Sequence, residues 1–199
     1  GARSTAEKMI AGVGRMHSRV AGATPAGQAY RADDPGLLDW VQATASFGFL
    51  EAYCAFVRPL SEADRDRFYG ESGPAAALYG AVGAPRSLAE QRAQFAAMLP
   101  KLERSEIVFE FLEIMRSTAI LRAPLRPMQH LLIRGGVEST PALVREVLGL
   151  DARFGLKRGE ARLIRLMGRL ADKLTLGSTP SAQACQRLGL PADYLQRRR

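Results

Sequence analysis

Helix punctuation recurs along this chain, and the alternating β-branched runs that make strands are missing. Asp34 followed by Pro35 pairs a good N-cap with a residue whose fixed φ suits the first helical position, and it predicts a helix to about Val57. Ser61-Glu62-Ala63-Asp64 and Ser87-Leu88-Ala89-Glu90 have capping-box form and open two more. Thr140-Pro141 opens a short helix that Gly149 closes, and Thr179-Pro180 opens the last, closed by Gly189. Periodicity adds helices over Thr5 to Arg19, Glu106 to Leu121, Pro127 to Glu138 and Leu156 to Leu176. Gly70 to Pro85, rich in glycine and proline, reads as a loop or broken helix, and Gly22 to Gly27 as a loop. The expected fold is all-α, a single globular domain of eight or nine helices over residues 1–199.

Composition narrows the function classes. A chain of 199 residues with 47% hydrophobic content can bury a sizeable core, which excludes disordered and collagen-like classes. No apolar run approaches the roughly 18 to 20 residues that span a bilayer, and no signal peptide opens the chain, so the expectation is a soluble protein. Cys54 and Cys185 belong to no CxxC pair; a reducing, cytoplasmic compartment is the default. A net charge of +8 raises nucleic acid as a partner. Aromatic residues are few and are not interleaved with the arginines, so stacking on single strands is not favoured and no nucleic acid is expected.

The basic residues gather most clearly at Arg158, Arg162, Arg165, Arg169 and Lys173, whose spacing puts them on one helix face. Leu163, Leu166, Met167, Leu170 and Leu174 supply its apolar face. Two readings apply: a core-packed helix with a solvated arginine face, or peripheral contact with an anionic membrane surface or an acidic partner. The terminal Arg197-Arg198-Arg199 run reads as a solvated tail.

Polar residues on apolar faces carry the chemical argument. Ile10, Val13, His17 and Val20 form one stripe, which predicts that the His17 ring points inward. Leu38, Gln42, Ala45, Phe49, Ala52 and Phe56 form a second, with Gln42 facing the core. A buried imidazole or amide needs a partner in backbone, water or ligand. Glu106, Glu110 and Glu113 share a face but lack the paired ExxH spacing of a di-iron site, so they read as solvated. His130, near Arg126 and Arg134, reads as solvated or capping. HExxH, Walker A, GxGxxG and GxSxG motifs do not occur.

Several segments in order carry a resemblance. They are Arg15-Met16-His17-x-x-Val20-x-Gly22, Gly27-x-x-Tyr30-x-Ala32-x-Asp34-Pro35 and Leu38-x-Trp40-Val41-Gln42-Ala43-Thr44. Tyr53, Phe56-Val57-Arg58-Pro59-Leu60-Ser61, Pro124-Leu125-Arg126-Pro127, Leu148-Gly149-Leu150 and Ala184-Cys185-Gln186-Arg187-Leu188-Gly189-Leu190-Pro191 continue them. Together they resemble the MpaB-type oxygenase domain shared with rubber oxygenases (latex-clearing proteins). The resemblance implies a helical domain that binds haem b and cleaves carbon-carbon double bonds of isoprenoid-like, apolar substrates with dioxygen. It implies His17 as proximal iron ligand, Gln42 as a polar group of the pocket, and Arg15, Arg19 and Arg31 as candidates for the haem propionates, beside their plain reading as surface arginines. Family members commonly carry histidine where this chain has Gln42, which cannot move protons near neutral pH and is a poor iron ligand. That departure implies an alternative: a non-catalytic binding protein that keeps the apolar pocket. The resemblance further implies that the chain opens inside the domain, downstream of helices that bring distal-side polar residues to the haem.

Overall fold

The computed structural model describes residues 3–24 and 27–197. Among these are ten α-helices: α1 (Arg3–His17), α2 (Pro35–Phe56), α3 (Glu62–Leu78), α4 (Leu88–Met98), α5 (Glu106–Ser117), α6 (Arg126–Ser139), α7 (Ala142–Leu148), α8 (Glu160–Lys173), α9 (Pro180–Arg187) and α10 (Tyr194–Arg197). A two-stranded antiparallel ribbon, β1 (Ala21–Ala23) and β2 (Ala29–Arg31), joins α1 to α2, with Gly22 opposite Tyr30. The expected all-α class holds. The ribbon replaces part of the expected loop; residues 25 and 26 of that loop, and residues 198 and 199 of the arginine tail, lie outside the described residues.

Local chemistry sets the helix starts. Asp34 Oδ1 accepts from the Gly36 and Leu37 amides at 2.9 and 3.2 Å, satisfying donors the first turn leaves unpaired. Ser61 and Ser87 accept from the Asp64 and Glu90 amides, each at 3.1 Å. Glu90 reaches back to the Arg86 amide at 2.7 Å, so this cap works in both directions. Gly149 and Gly189 close α7 and the turn after α9 at φ +72° and +71°, where a side chain would be strained.

Helix α2 is the hub. Phe56 at its C-terminal end packs with Leu131 of α6 and Ile164 of α8, while Leu50 packs with Tyr69 of α3 and Leu88 of α4. Gln129 of α6 is buried and fully used: its amide donates to the Met115 and Thr118 carbonyls at 2.7 and 2.8 Å and accepts from the Leu121 amide at 3.1 Å. It therefore fixes the end of α5 to the start of α6.

Several sequence expectations are corrected. Helix α3 continues through Pro74 to Leu78 instead of breaking at Gly70. Tyr69 and Ala76 are buried on either side of the proline, and packing overrides its local cost. Helix α5 ends at Ser117 and α8 spans only Glu160–Lys173, both shorter than their periodicity suggested. On α2 the buried residues are Ala43, Ser46, Leu50 and Phe56, whereas Phe49 of the expected stripe is 76% exposed. The helix is apolar on most of its circumference, so periodicity marks no unique inner face. On α8 the buried residue is Ile164, and four of the five residues of its expected apolar face, Leu163, Leu166, Leu170 and Leu174, are exposed, against the core-packed reading of that face.

Candidate functional site

His17 sits in the last turn of α1, a helix with no buried residue. Of the expected stripe, Ile10, Val13 and His17 are half-buried on a helix whose other residues, Gly12 apart, are exposed, whereas Val20 lies beyond the helix and is exposed. Arg31 of β2 grips Asp33 through Nε and Nη2, both at 3.0 Å, and Nη2 also reaches the Ser18 carbonyl at 3.4 Å. The ribbon is thereby tied to the end of α1, beside His17. The Arg31 bond holds the Asp33 carboxyl below its ordinary range, and the nearby His17 ring adds a smaller pull in the same direction. Arg15 and Arg19, on the same segment, are exposed and form no ion pair among the described residues.

Gln42 stands apart from this group. It lies two turns into α2, half-buried, with Nε2 donating to Ser46 Oγ at 3.1 Å. The amide is a local link within α2. His130 is half-buried, its Nε2 3.2 Å from the Arg116 carbonyl oxygen. Glu106, Glu110 and Glu113 are exposed, and no group of three or more metal-ligating side chains occurs among the described residues.

The concave features lie elsewhere. A cleft of about 680 Å³ runs between α2, α4, α6 and α7, walled by Trp40, Phe47, Phe95, Val144 and Leu148. Phe95 joins its aromatic side, with ring centroids 5.0 Å from Trp40 and 4.7 Å from Phe47. The cleft's hydroxyls are spent on their own helices. Thr44 Oγ1 donates within reach of the Trp40 and Val41 carbonyls, Ser139 Oγ donates to Gly135, and Thr140 Oγ1 to Gly136. No titratable side chain lines it among the described residues. A second apolar cleft of about 540 Å³ follows α5 and α6, with Phe111, Met115 and Leu132 on its walls. Gly136 and Thr140 border both clefts. Volumes of this size suit a small apolar ligand.

Sequence reasoning missed these walls. Trp40 and Leu148 lie in segments that carry the resemblance, but the approach of Phe95, Val144 and Leu148 to α2 is revealed by no spacing.

For haem the donor set fits in its chemistry. The His17 imidazole has neither ring nitrogen in a hydrogen bond among the described residues, and Met16 and Val20 beside it leave apolar surface uncovered. Arg15 and Arg19 offer guanidinium groups, whereas Arg31 is already neutralised by Asp33. His17 lines neither apolar cleft.

The fold is a helical domain with two apolar clefts whose walls carry no acid or base group among the described residues. The chain belongs to the family described as ER-bound oxygenase mpaB/B'/Rubber oxygenase, catalytic domain, whose model matches residues 1–199. Searches of curated proteins and of solved structures found no match.

Proposed function

We propose that this domain is a haem b-dependent oxygenase that takes dioxygen and an apolar, isoprenoid-like chain, with His17 as proximal iron ligand. The observation that carries the substrate class is the cleft beside Trp40, Phe47 and Phe95, whose wall hydroxyls are all engaged by helix carbonyls. A polar substrate would find few open partners there and lose hydration; a hydrocarbon chain loses nothing. Its walls would hold the chain by contact alone. When bound, haem would supply the activation of dioxygen. In this reading the His17 imidazole would ligate the iron, Arg15 and Arg19 would pair with propionates, and Gln42 would offer an amide that donates and accepts hydrogen bonds without moving a proton.

The test is an absorption spectrum of the purified protein from haem-supplemented cells, ferric and dithionite-reduced, with iron quantified. A Soret band with about one iron per chain, lost in His17→Ala, is the expected result. Full haem occupancy in His17→Ala would remove His17 from the assignment. The bond from Gln42 to Ser46 favours a second reading, a binding protein that keeps the clefts without catalysis. An iron-free protein that still binds a farnesyl-length hydrocarbon would establish that reading.

A further inference from the structure

Helix α8 has three faces, and only one of them is used by the fold. Ile164 packs with Phe56 and Leu131, Met167 joins that cluster, and Gly168 lies against the Phe56 carbonyl. Leu163, Leu166, Leu170 and Leu174, spaced three and four apart, form a second stripe that is 49 to 63% exposed. Arg162, Arg169 and Lys173 form a third beside it, with Arg158 just before the helix; none of the four meets a carboxylate among the described residues. Arg165 is different, donating from Nε to the Ala55 carbonyl at 3.1 Å, and Glu160 is held by Arg134. A continuous apolar stripe thus runs alongside unneutralised cations, on a helix whose back is anchored to α2 and α6.

We propose that α8 is a docking surface for an anionic lipid bilayer, lying flat with Leu163, Leu166, Leu170 and Leu174 at the acyl boundary and Arg158, Arg162, Arg169 and Lys173 among the headgroups. Charge selects this occupant. Helix α5 also leaves an apolar face open, at Ile107, Phe111 and Ile114, but Glu106, Glu110 and Glu113 surround it and an anionic surface would repel them. The exposed Val41, Ala45 and Phe49 of α2 carry no charge at all. Shape supports the same choice. With its inner face packed, α8 presents its leucine and cation stripes side by side, so a plane meets both together. Long arginine and lysine stems let their charges stay at the headgroup level while the leucines descend.

Co-sedimentation of the full chain with vesicles tests the assignment, comparing phosphatidylcholine alone with phosphatidylcholine containing phosphatidylserine. The expected result is at least about a tenfold preference for the anionic vesicles, weakened by salt. The double variants Arg162→Glu with Arg169→Glu, and Leu166→Ser with Leu170→Ser, should each lower binding by about tenfold or more. All four positions are exposed, so unchanged circular dichroism and melting are expected to accompany that loss. Equal binding to both vesicles, or binding untouched by either variant, overturns the proposal. So does a dimer in solution that the leucine variant dissociates, because the stripe would then be covered by a second copy.

Discussion

Gly168 of α8 lies against the end of α2 so closely that a Cβ at that position would stand 2.7 Å from the Phe56 carbonyl oxygen. The neighbour is backbone, which cannot turn aside. Gly135 of α6 makes an instructive contrast, since its Cβ would meet the Ile164 Cδ1 methyl at 2.9 Å, the movable end of a side chain. Gly168→Ala should therefore destabilise the domain by about 1 to 3 kcal/mol, by pushing α8 off α2, and Gly135→Ala by less. Urea denaturation of both variants checks the order; a milder effect at Gly168 would mean that α8 shifts freely.

Arg134 and Glu160 join α6 to the start of α8 through two hydrogen bonds, Nε to Oε2 at 2.9 Å among them, with both side chains about one-fifth exposed. The Arg134 bonds hold the Glu160 carboxyl below its ordinary value of 4.5, assisted by the Lys157 amide, against the opposing effect of burial. A carboxyl depressed by folding contributes stability above its unfolded pKa and loses that contribution as pH falls through the folded one. Glu160→Gln should cost about 1 to 3 kcal/mol near neutrality, and its deficit against the wild type should shrink progressively on acidification below about pH 4.5. Denaturant melts across that range read the gap directly.

Tyr69 is fully buried between α2, α3 and α4, and its hydroxyl has no hydrogen-bond partner among the described residues. Burial, with the Glu51 charge nearby, pushes its pKa up to about 12, so the phenol stays neutral throughout the working range. Removing a buried, unpaired hydroxyl removes a desolvation cost. Tyr69→Phe should be neutral or stabilising by up to about 1 kcal/mol in thermal unfolding. A clear loss would show that an ordered water satisfies the hydroxyl.

His17 bears on function without bearing on the core. Because α1 buries no residue, His17→Ala should change unfolding free energy by no more than about 0.5 kcal/mol. Loss of haem from that variant could then be attributed to the missing ligand. A large destabilisation would place the imidazole in a packing role.

Capping and punctuation were legible because they act within a few residues. Asp34, Ser61 and Ser87 bond amides two or three positions on, and Gly149 and Gly189 take the left-handed conformation that ends a helix. Those signals determined the all-α class, most helix starts, and the ordered segments that carry the family resemblance. Which face each helix buries was decided only by the tertiary structure. On α2 nearly every side is apolar, and the contacts of α3, α4, α6 and α8 chose Ala43, Ser46 and Leu50 over Phe49. On α8 packing against Phe56 and Leu131 took Ile164 inward and left the leucines outside. The apolar cleft likewise exists because Phe95 of α4 and Val144 and Leu148 of α7 meet Trp40 and Phe47 of α2. Helix propensity is local and is written in the spacing of residues; burial is a competition among surfaces far apart in the chain, settled only when the helices pack.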